Sequence, residues 1–349
     1  MIELNNTFYI LVIIIFLSSI IIHIFNKNNF LIDQVNYSKH KQLTKSLPKS
    51  PPLCGGSLIF IFSVLFFKGL ILLKIFGFFI LIIGILSDIN KISSPAKRIL
   101  VQSIVTVSFI YLSNLTITDV RIDPINFVLD IKLVSILFTL FCVLILINGS
   151  NFLDGLNTLV IGYYILVCLF LIMLSNNFEL TIDPNINLLI IILSTLFFFN
   201  FFGKLYLGDS GAYLLGFYIA FLVIDFSLKN NSISPFLICF LLWYPAFENL
   251  FSIVRRIISK KKIEAADQFH LHQMIYNFFI KKDLVKSIYL NTLVANLINI
   301  YNLVIFSYFY KFYSSTKILI LGILFNISVY IILYLLIKKS QLTVRRYKI

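Results

Sequence analysis

Long apolar segments separated by short polar stretches run through nearly the whole chain. A helix needs about 20 mostly apolar residues to cross the hydrocarbon core of a bilayer, and eleven segments approach that length. The pattern predicts an all-α, polytopic membrane helix bundle with about eleven transmembrane helices, in which residues 1–349 form a single domain. The predicted spans are 8–25, 53–67, 70–86, 99–115, 133–147, 159–174, 188–202, 212–226, 233–253, 288–309 and 318–337.

The composition supports a membrane protein and argues against a nucleic-acid-binding protein. The chain is 59% hydrophobic and 13% charged, whereas a soluble domain has about 25% charged residues. Its net charge of +14 is the expected result of basic loops beside membrane spans. The four cysteines are scattered and form no CxxC pair, so neither a zinc site nor a disulfide framework is predicted.

Basic residues divide unequally between the two sides of the predicted bundle. Alternate loops and the C-terminal tail carry 22 of the 29 Lys and Arg residues, and the other side carries seven. Cytoplasmic loops of membrane proteins are enriched in Lys and Arg. The predicted topology therefore has the N-terminus outside and the C-terminus in the cytoplasm.

Five polar segments fall on the predicted cytoplasmic side. They are 51–56, 84–88 followed by Lys97 and Arg98, 148–157, 200–211, and Arg255 and Arg256 with 267–273; the first loop also contains Lys39, His40 and Lys41. Taken singly, an Asp at a helix end is usually a cap and Gly or Asn usually makes a turn. Taken together, Asp88, Asp154 and Asp209 lie at the same membrane edge, where ionisable groups are functional by default.

These residue types favour phosphoryl transfer. Carboxylate and amide oxygens are ligands for Mg²⁺ or Mn²⁺, while His, Lys and paired Arg residues bind phosphate. Positioning and charge neutralisation provide most of the catalysis in such reactions. A site that opens at the membrane edge suits one lipid phosphate and one soluble cytoplasmic phosphate compound.

At these motifs the chain resembles the polyprenyl-phosphate N-acetylhexosamine-1-phosphate transferase family, or glycosyltransferase family 4. The resemblance covers roughly residues 30–280. It rests on NGSNFLDGLNTL, NFFGKLYLGDSGAYLLG, HLHQ and PPLCGG, which occur in family order. It implies transfer of a HexNAc-1-phosphate from a UDP-sugar to undecaprenyl or another polyprenyl phosphate, with release of UMP, as the initiating step of cell-surface polysaccharide synthesis.

The resemblance also implies roles for individual residues. Asp209 and Asn151 would bind Mg²⁺, with Mn²⁺ as a possible substitute. The catalytic candidates are Asp88, Asp154 and Asp209, and the substrate-binding candidates are Asn148, Asn200, Lys204, Arg256, His270 and His272. The expected partners are UDP-HexNAc, a polyprenyl phosphate lipid and the bilayer, with a homodimer left open.

Three departures from the family pattern leave the sugar open. Ser87 stands where the family usually has a first aspartate, Ala266 replaces the usual Pro before Asp267, and Gln273 replaces a His. They favour a surface-polysaccharide branch over the phospho-MurNAc-pentapeptide transferase of peptidoglycan synthesis. The alternatives in other classes are a transporter of a lipid-linked substrate and an inactive scaffold relative.

Overall fold

The computed structural model describes residues 2–32, 50–260, 269–281 and 287–346 as a bundle of α-helices. The sequence candidates Lys39, His40, Lys41 and Asp267 lie outside these ranges. The helices are α1 (Ile2–Lys27), α2 (Gly55–Phe66), α3 (Ile71–Asp88), α4 (Pro95–Ser113), α5 (Asp123–Leu129), α6 (Lys132–Leu153), α7 (Leu159–Phe178), α8 (Asn185–Phe201), α9 (Gly208–Lys229), α10 (Pro235–Leu241), α11 (Trp243–Ile258), α12 (Leu271–Lys281), α13 (Ser287–Phe309) and α14 (Thr316–Arg346).

Each of the eleven predicted spans coincides with a helix or a helix pair. Within the described ranges, eight helices are long and apolar enough to cross a membrane: α1, α3, α4, α6, α7, α9, α13 and α14. The shorter apolar helices α2 and α8 and the bent pair α10–α11 account for the other three segments. The chain is therefore an all-helical, multi-pass membrane protein, and the number of crossings stays a prediction. The short helices α5 and α12 were not predicted.

The segment 233–253, predicted as one span, is a bent pair of helices, and that the pair makes a single crossing stays a prediction. The chain bends by 73° between α10 and α11. Pro245 lies in the first turn of α11 and has no N–H to donate to the carbonyl of Leu241, four residues earlier. The hydroxyl of Tyr163 donates to that carbonyl instead, at 2.7 Å. A side chain from α7 thus stabilises the break inside the apolar bundle.

Helix α9 forms the centre of the bundle. It is the most deeply buried of the candidate spans, and it packs against α2, α3 and α6. Helices α2 and α3 are separate, as predicted, because Gly69 and Leu70 both have positive φ angles at the turn between them. The amino end of α9 is consequently enclosed by the ends of its neighbours.

At the opposite end of the bundle, Arg121 connects three loops by hydrogen bonds. Its guanidinium donates to the carbonyls of Ser314 at 2.7 Å, Asn231 at 2.8 Å and Ile233 at 3.0 Å. These carbonyls belong to two other loops, which follow α13 and α9. Arg121 is one of the seven basic residues on the predicted outer side, and its contacts give it a structural role there.

Candidate active site

The first turn of α9 is capped by a side chain from α3. One carboxylate oxygen of Asp88 accepts the backbone N–H of Asp209 at 2.8 Å, and the other accepts that of Ser210 at 3.1 Å. A carboxylate is stabilising at this position because the amino end of a helix carries a partial positive charge. Gly208 has a φ of +75°, and a Cβ there would lie 2.9 Å from Asp88 Oδ2. Gly84 allows the close approach, since its Cβ would meet Ser210 Cα at 2.2 Å.

The Asp209 side chain points into a polar cluster. Only 4% of Asp209 is exposed, and its Oδ2 accepts the hydroxyl of Ser87 at 2.5 Å. Arg98 Nη1 lies 3.2 Å from the same oxygen, and it also donates to Ser87 Oγ at 2.8 Å and to Tyr213 Oη at 3.3 Å. Burial of a carboxylate requires such compensation by hydrogen bonds and opposite charge. The position at which the family usually has a first aspartate is therefore in direct contact with Asp209, and in this chain Ser87 occupies it.

The PPLCGG segment packs against the loop that leads into α9. The N–H of Tyr206 donates to Pro52 O at 2.9 Å, and the N–H of Gly55 donates to Tyr206 O at 3.1 Å. A Cβ on Gly56 would lie 2.5 Å from the backbone nitrogen of Gly211, so the two helices touch by their backbones. These glycines place α2 against the first turn of α9.

Two of the predicted substrate-binding asparagines bind the protein itself. Asn200 Oδ1 accepts the N–H of Thr158 at 2.5 Å, and its Nδ2 donates to Leu205 O at 2.9 Å. It thereby joins the loops 154–158 and 202–207. Asn148 Nδ2 donates to Gln102 Oε1 at 3.1 Å. These contacts give both residues a structural role, and substrate binding by them stays a prediction.

The remaining candidates of the NGSNFLDG and NFFGKLYLGDSG motifs lie at the end of α6 and in the loop before α9. Asn151 is in the last turn of α6 and Asp154 follows at its end, and both are half-buried. Lys204 is exposed on the loop before α9. Asn151 and Asp154 belong to the NGSNFLDG motif, whose turn is fixed by the Asn200 contact described above. Metal binding by Asn151 and the roles of Asp154 and Lys204 stay predictions.

An aromatic stack joins the NGSNFLDG motif to the HLHQ motif. The ring centroids of Phe152 and His270 are 5.1 Å apart, and the Arg256 guanidinium carbon lies 5.6 Å from the Phe152 centroid on α6. The rings of His270 and His272 stack at 5.8 Å. Gly155 is required beside them, since a Cβ there would lie 2.7 Å from His272 Nε2. Sequence-distant basic groups thus meet next to Asn151 and Asp154.

The two histidines have different surroundings. Burial lowers the pKa of His272 to about 3, with Glu248 opposing and His270 adding to the effect. His272 is therefore neutral at ordinary pH. His270 instead contacts a carboxylate: its Nδ1 lies 3.0 Å from Oε1 of Glu248. The side chains that remain available for phosphate in this part of the site are Arg256 and His270.

Glu248 and Arg98 are site residues that the sequence interpretation missed. Glu248 is completely buried and accepts the hydroxyl of Tyr330 at 2.9 Å on its second oxygen. Its signal was an acidic residue inside an apolar segment, which is functional by default at membrane depth. Arg98 was noted only as part of a basic flank, and sequence alone gave no reason to pair it with Asp209.

The residues present suit a divalent cation in one respect. Asp209 offers a carboxylate, a ligand type suited to Mg²⁺, while the Arg98 guanidinium beside its Oδ2 compensates part of its charge. Among the described residues, no three His, Cys, Asp or Glu side chains are placed to hold a metal ion together. A metal held by Asp209 and Asn151 would need phosphate oxygens or water to complete its coordination, as Mg²⁺ commonly does.

The chain matches a family model over a central segment. The model described as glycosyl transferase family 4 matches residues 70–227, a range that includes Ser87, Asp88, Asp154 and Asp209. The HLHQ and PPLCGG motifs lie outside it.

Two relatives with assigned names match the chain. The probable undecaprenyl-phosphate N-acetylglucosaminyl 1-phosphate transferase of Bacillus subtilis (strain 168) is 27% identical over 208 residues, which are 58% of this chain and 57% of the relative. The decaprenyl-phosphate N-acetylglucosaminephosphotransferase of Mycobacterium leprae (strain TN) is 29% identical over 163 residues, which are 40% of this chain and 41% of the relative. The chain thus matches about half the length of each. These findings confirm the resemblance drawn from the motifs.

Proposed function

We propose, with the glycosyl transferase family 4 match of residues 70–227 as the premise, that this protein is a membrane-embedded sugar-phosphate transferase. It transfers a HexNAc-1-phosphate from a UDP-HexNAc to a polyprenyl phosphate and releases UMP. The observation that carries the proposal is the Ser87–Asp209–Arg98 cluster at the amino end of α9. It places a charge-compensated carboxylate where three family motifs meet. The names of both relatives support the same reaction class.

The reaction exchanges one phosphoanhydride bond for another. An oxygen of the lipid phosphate attacks the β-phosphorus of the UDP-sugar, and the bond from that phosphorus to the bridging oxygen breaks. The electron pair leaves with UMP, and the product is a polyprenyl diphosphate carrying the sugar. Phosphate oxygens are already ionised near pH 7, because the second pKa of a phosphate monoester is about 6. Holding two anions in line is therefore the main task of the site.

The chain provides basic side chains in two places. Arg98 lies beside Asp209, and Arg256 and His270 flank Phe152. We assign His270 and Arg256 to the diphosphate of the UDP-sugar, and Arg98 to orienting Asp209. Asp209 and Asn151 are the residues that would hold Mg²⁺ or Mn²⁺, which supplies charge neutralisation for the phosphates.

The proposed location is a bacterial inner membrane with the active site facing the cytoplasm. It rests on the unequal distribution of basic residues, which also places the N-terminus outside and the C-terminus inside with eleven crossings. A cytoplasmic site is chemically consistent, since UDP-sugars are soluble cytoplasmic compounds. The proposed pathway role is the first membrane step of a surface polysaccharide.

The experiment that tests the proposal measures UMP release by the full-length protein in membranes or detergent. Polyprenyl phosphate is added with a panel of UDP-sugars, beginning with UDP-GlcNAc because both relatives are named for that sugar. UMP release that depends on both the lipid phosphate and one UDP-sugar is expected. Activity with none of the panel would contradict the proposed function and favour the transporter or the inactive scaffold.

A further inference from the structure

A carboxylate buried inside the bundle connects α11 and α14 to His270. Glu248 lies on α11 and is completely buried. Its Oε1 lies 3.0 Å from Nδ1 of His270, which directly precedes α12, and its Oε2 accepts the hydroxyl of Tyr330, on α14, at 2.9 Å. Both oxygens of the carboxylate therefore have a named partner. Neither Glu248 nor Tyr330 falls within the family match at 70–227.

We infer that Glu248 and Tyr330 are positioning residues for His270, which the proposed function assigns to the diphosphate of the UDP-sugar. The inference rests on that proposed function and deepens it. Glu248 fixes the ring in the tautomer that carries a proton on Nδ1. Tyr330 holds the carboxylate in place from the other side.

The hydrogen-bonding chemistry of the pair supports this assignment. An ionised carboxylate only accepts hydrogen bonds, so Nδ1 of His270 must be the donor whether the ring is neutral or cationic. The ring nitrogen that this contact does not use is Nε2, on the far side of the imidazole. A carboxylate partner fixes the tautomer and the orientation of a working histidine in this way.

The packing around His270 limits its freedom further. Its ring packs against Phe152, with 5.1 Å between centroids, and stacks with His272 at 5.8 Å. Ser252 Oγ lies 3.3 Å from the same Nδ1. These groups belong to α6, α11 and α12, so the ring is enclosed by elements that are distant in sequence.

The buried charge also has an energetic consequence. A buried carboxylate without a partner of opposite charge is strongly destabilising. The contacts with His270 and Tyr330 therefore stabilise the Glu248 carboxylate and keep it beside the imidazole ring. Tyr330 stabilises the carboxylate without adding charge, so its loss has a smaller effect than loss of the carboxylate.

The kinetic test uses Glu248→Gln, Tyr330→Phe and a double-mutant cycle with His270→Gln. Glu248→Gln is expected to lower kcat for UMP release about 10- to 100-fold, as loss of a histidine's carboxylate partner does elsewhere, with KM for the UDP-sugar changed less than about threefold. In the His270→Gln background the same change should cost less than about twofold, because it acts through His270. Losses that multiply in the double variant would overturn the inference.

Tyr301→Phe is the matched control for Tyr330→Phe. Its hydroxyl donates to Asn326 Oδ1 at 2.7 Å, an interhelical bond to α14 that involves neither Glu248 nor His270. Tyr330→Phe should lower kcat several-fold and Tyr301→Phe should leave it unchanged. Equal losses of kcat in the two variants would mean that the Tyr330 hydroxyl has only a structural role, and would overturn its assignment as a positioning residue.

A second measurement does not depend on turnover. The chain contains four histidines, so selective ¹⁵N-histidine labelling of the whole protein gives few signals, and His270→Gln identifies the one that matters. The wild type should show a proton on Nδ1 of His270, and added UDP should shift its Nε2 signal. An unprotonated Nδ1, or no response to UDP, would overturn the inference even if Glu248→Gln does not fold. A response to UDP without UMP release from any UDP-sugar would reject the proposed function and retain the positioning of His270.

Discussion

The hydroxyl of Ser87 donates a hydrogen bond of 2.5 Å to Oδ2 of Asp209. Ser87 occupies the position where the resembled family usually has an aspartate, and Arg98 contacts both residues. The Ser–Asp pair leaves one negative charge beside this arginine, where the family pattern would place two. The site therefore has a hydrogen-bond donor to Asp209, the Ser87 hydroxyl, where the family pattern has a second carboxylate.

We expect Ser87→Asp to change the rate of UMP release by less than about tenfold, which corresponds to under about 1.4 kcal/mol. The lipid phosphate is mostly ionised near pH 7, so an added carboxylate has little to gain as a base. Arg98 lies within reach of both positions and compensates the added charge. UMP release by wild type and Ser87→Asp between pH 5.5 and 8 measures the effect. An inactive wild type with an active Ser87→Asp variant would contradict this view and identify a decayed enzyme.

Asp209→Ala should lower UMP release at least about 100-fold at normal expression. A bound metal contributes several kcal/mol of transition-state stabilisation, and each 1.4 kcal/mol is about tenfold in rate. The matched control is Asp225→Ala, at the other end of the same helix, where Asp225 pairs with Lys229 at 2.7 Å. The control should keep near wild-type activity and the same requirement for Mg²⁺ or Mn²⁺. Comparable turnover in both variants would end the assignment of Asp209.

Asp88→Asn should reduce both stability and activity. The substitution removes a negative charge from the amino end of α9 and replaces one of the two oxygens that accept backbone N–H groups. Loss of a helix cap costs about 1 kcal/mol, and misplacement of Asp209 should lower UMP release more than tenfold. Melting in detergent and UMP release are measured together. Asp130→Asn, an exposed position at the opposite end, serves as the control, and an unchanged melting temperature for Asp88→Asn would argue against the capping role.

The two ends of α9 should face opposite sides of the membrane. Lys204 precedes the helix and Lys229 ends it, and both are exposed. In a background without the four native cysteines, Lys229→Cys should react with an impermeant thiol reagent in intact cells. Lys204→Cys and Ser93→Cys should react only after permeabilisation. Labelling of Lys204→Cys from outside would reverse the topology and place the active site away from cytoplasmic UDP-sugars.

Acid should destabilise the protein through His272. Burial lowers the pKa of this side chain from its ordinary 6.5 to about 3, so the unfolded chain binds a proton between these values and the native protein does not. Its contribution to stability is complete above about pH 6.5 and is lost as the pH falls, by about 1.4 kcal/mol per pH unit. His272→Gln should flatten the dependence of the melting temperature on pH between 7 and 5. His23→Gln, an exposed position on α1, should leave that dependence unchanged.

The sequence by itself determined the class of the protein and the regions that contain its chemistry. Apolar segments near the length of a bilayer predict helices because a backbone in hydrocarbon must satisfy its own hydrogen bonds. The polar residues that interrupt this pattern are few, so Asp88, Asp154 and Asp209 stood out without any tertiary information.

The tertiary structure decided which residues meet and what each contact does. Period and hydropathy carry no information on the angle between helices, so the break at Pro245 and its satisfaction by Tyr163 were not predictable from the apolar segment. Arg98, on α4, and Asp209, on α9, are more than one hundred residues apart, and they meet because α3 packs against both helices, with Gly84 allowing its close approach to α9. Glu248 gained its partner from the packing of α11 against the segment before α12. The sequence determines which charged and polar groups are costly to bury. The packing of the helices determines which group of opposite charge or which hydrogen-bond partner compensates each of them.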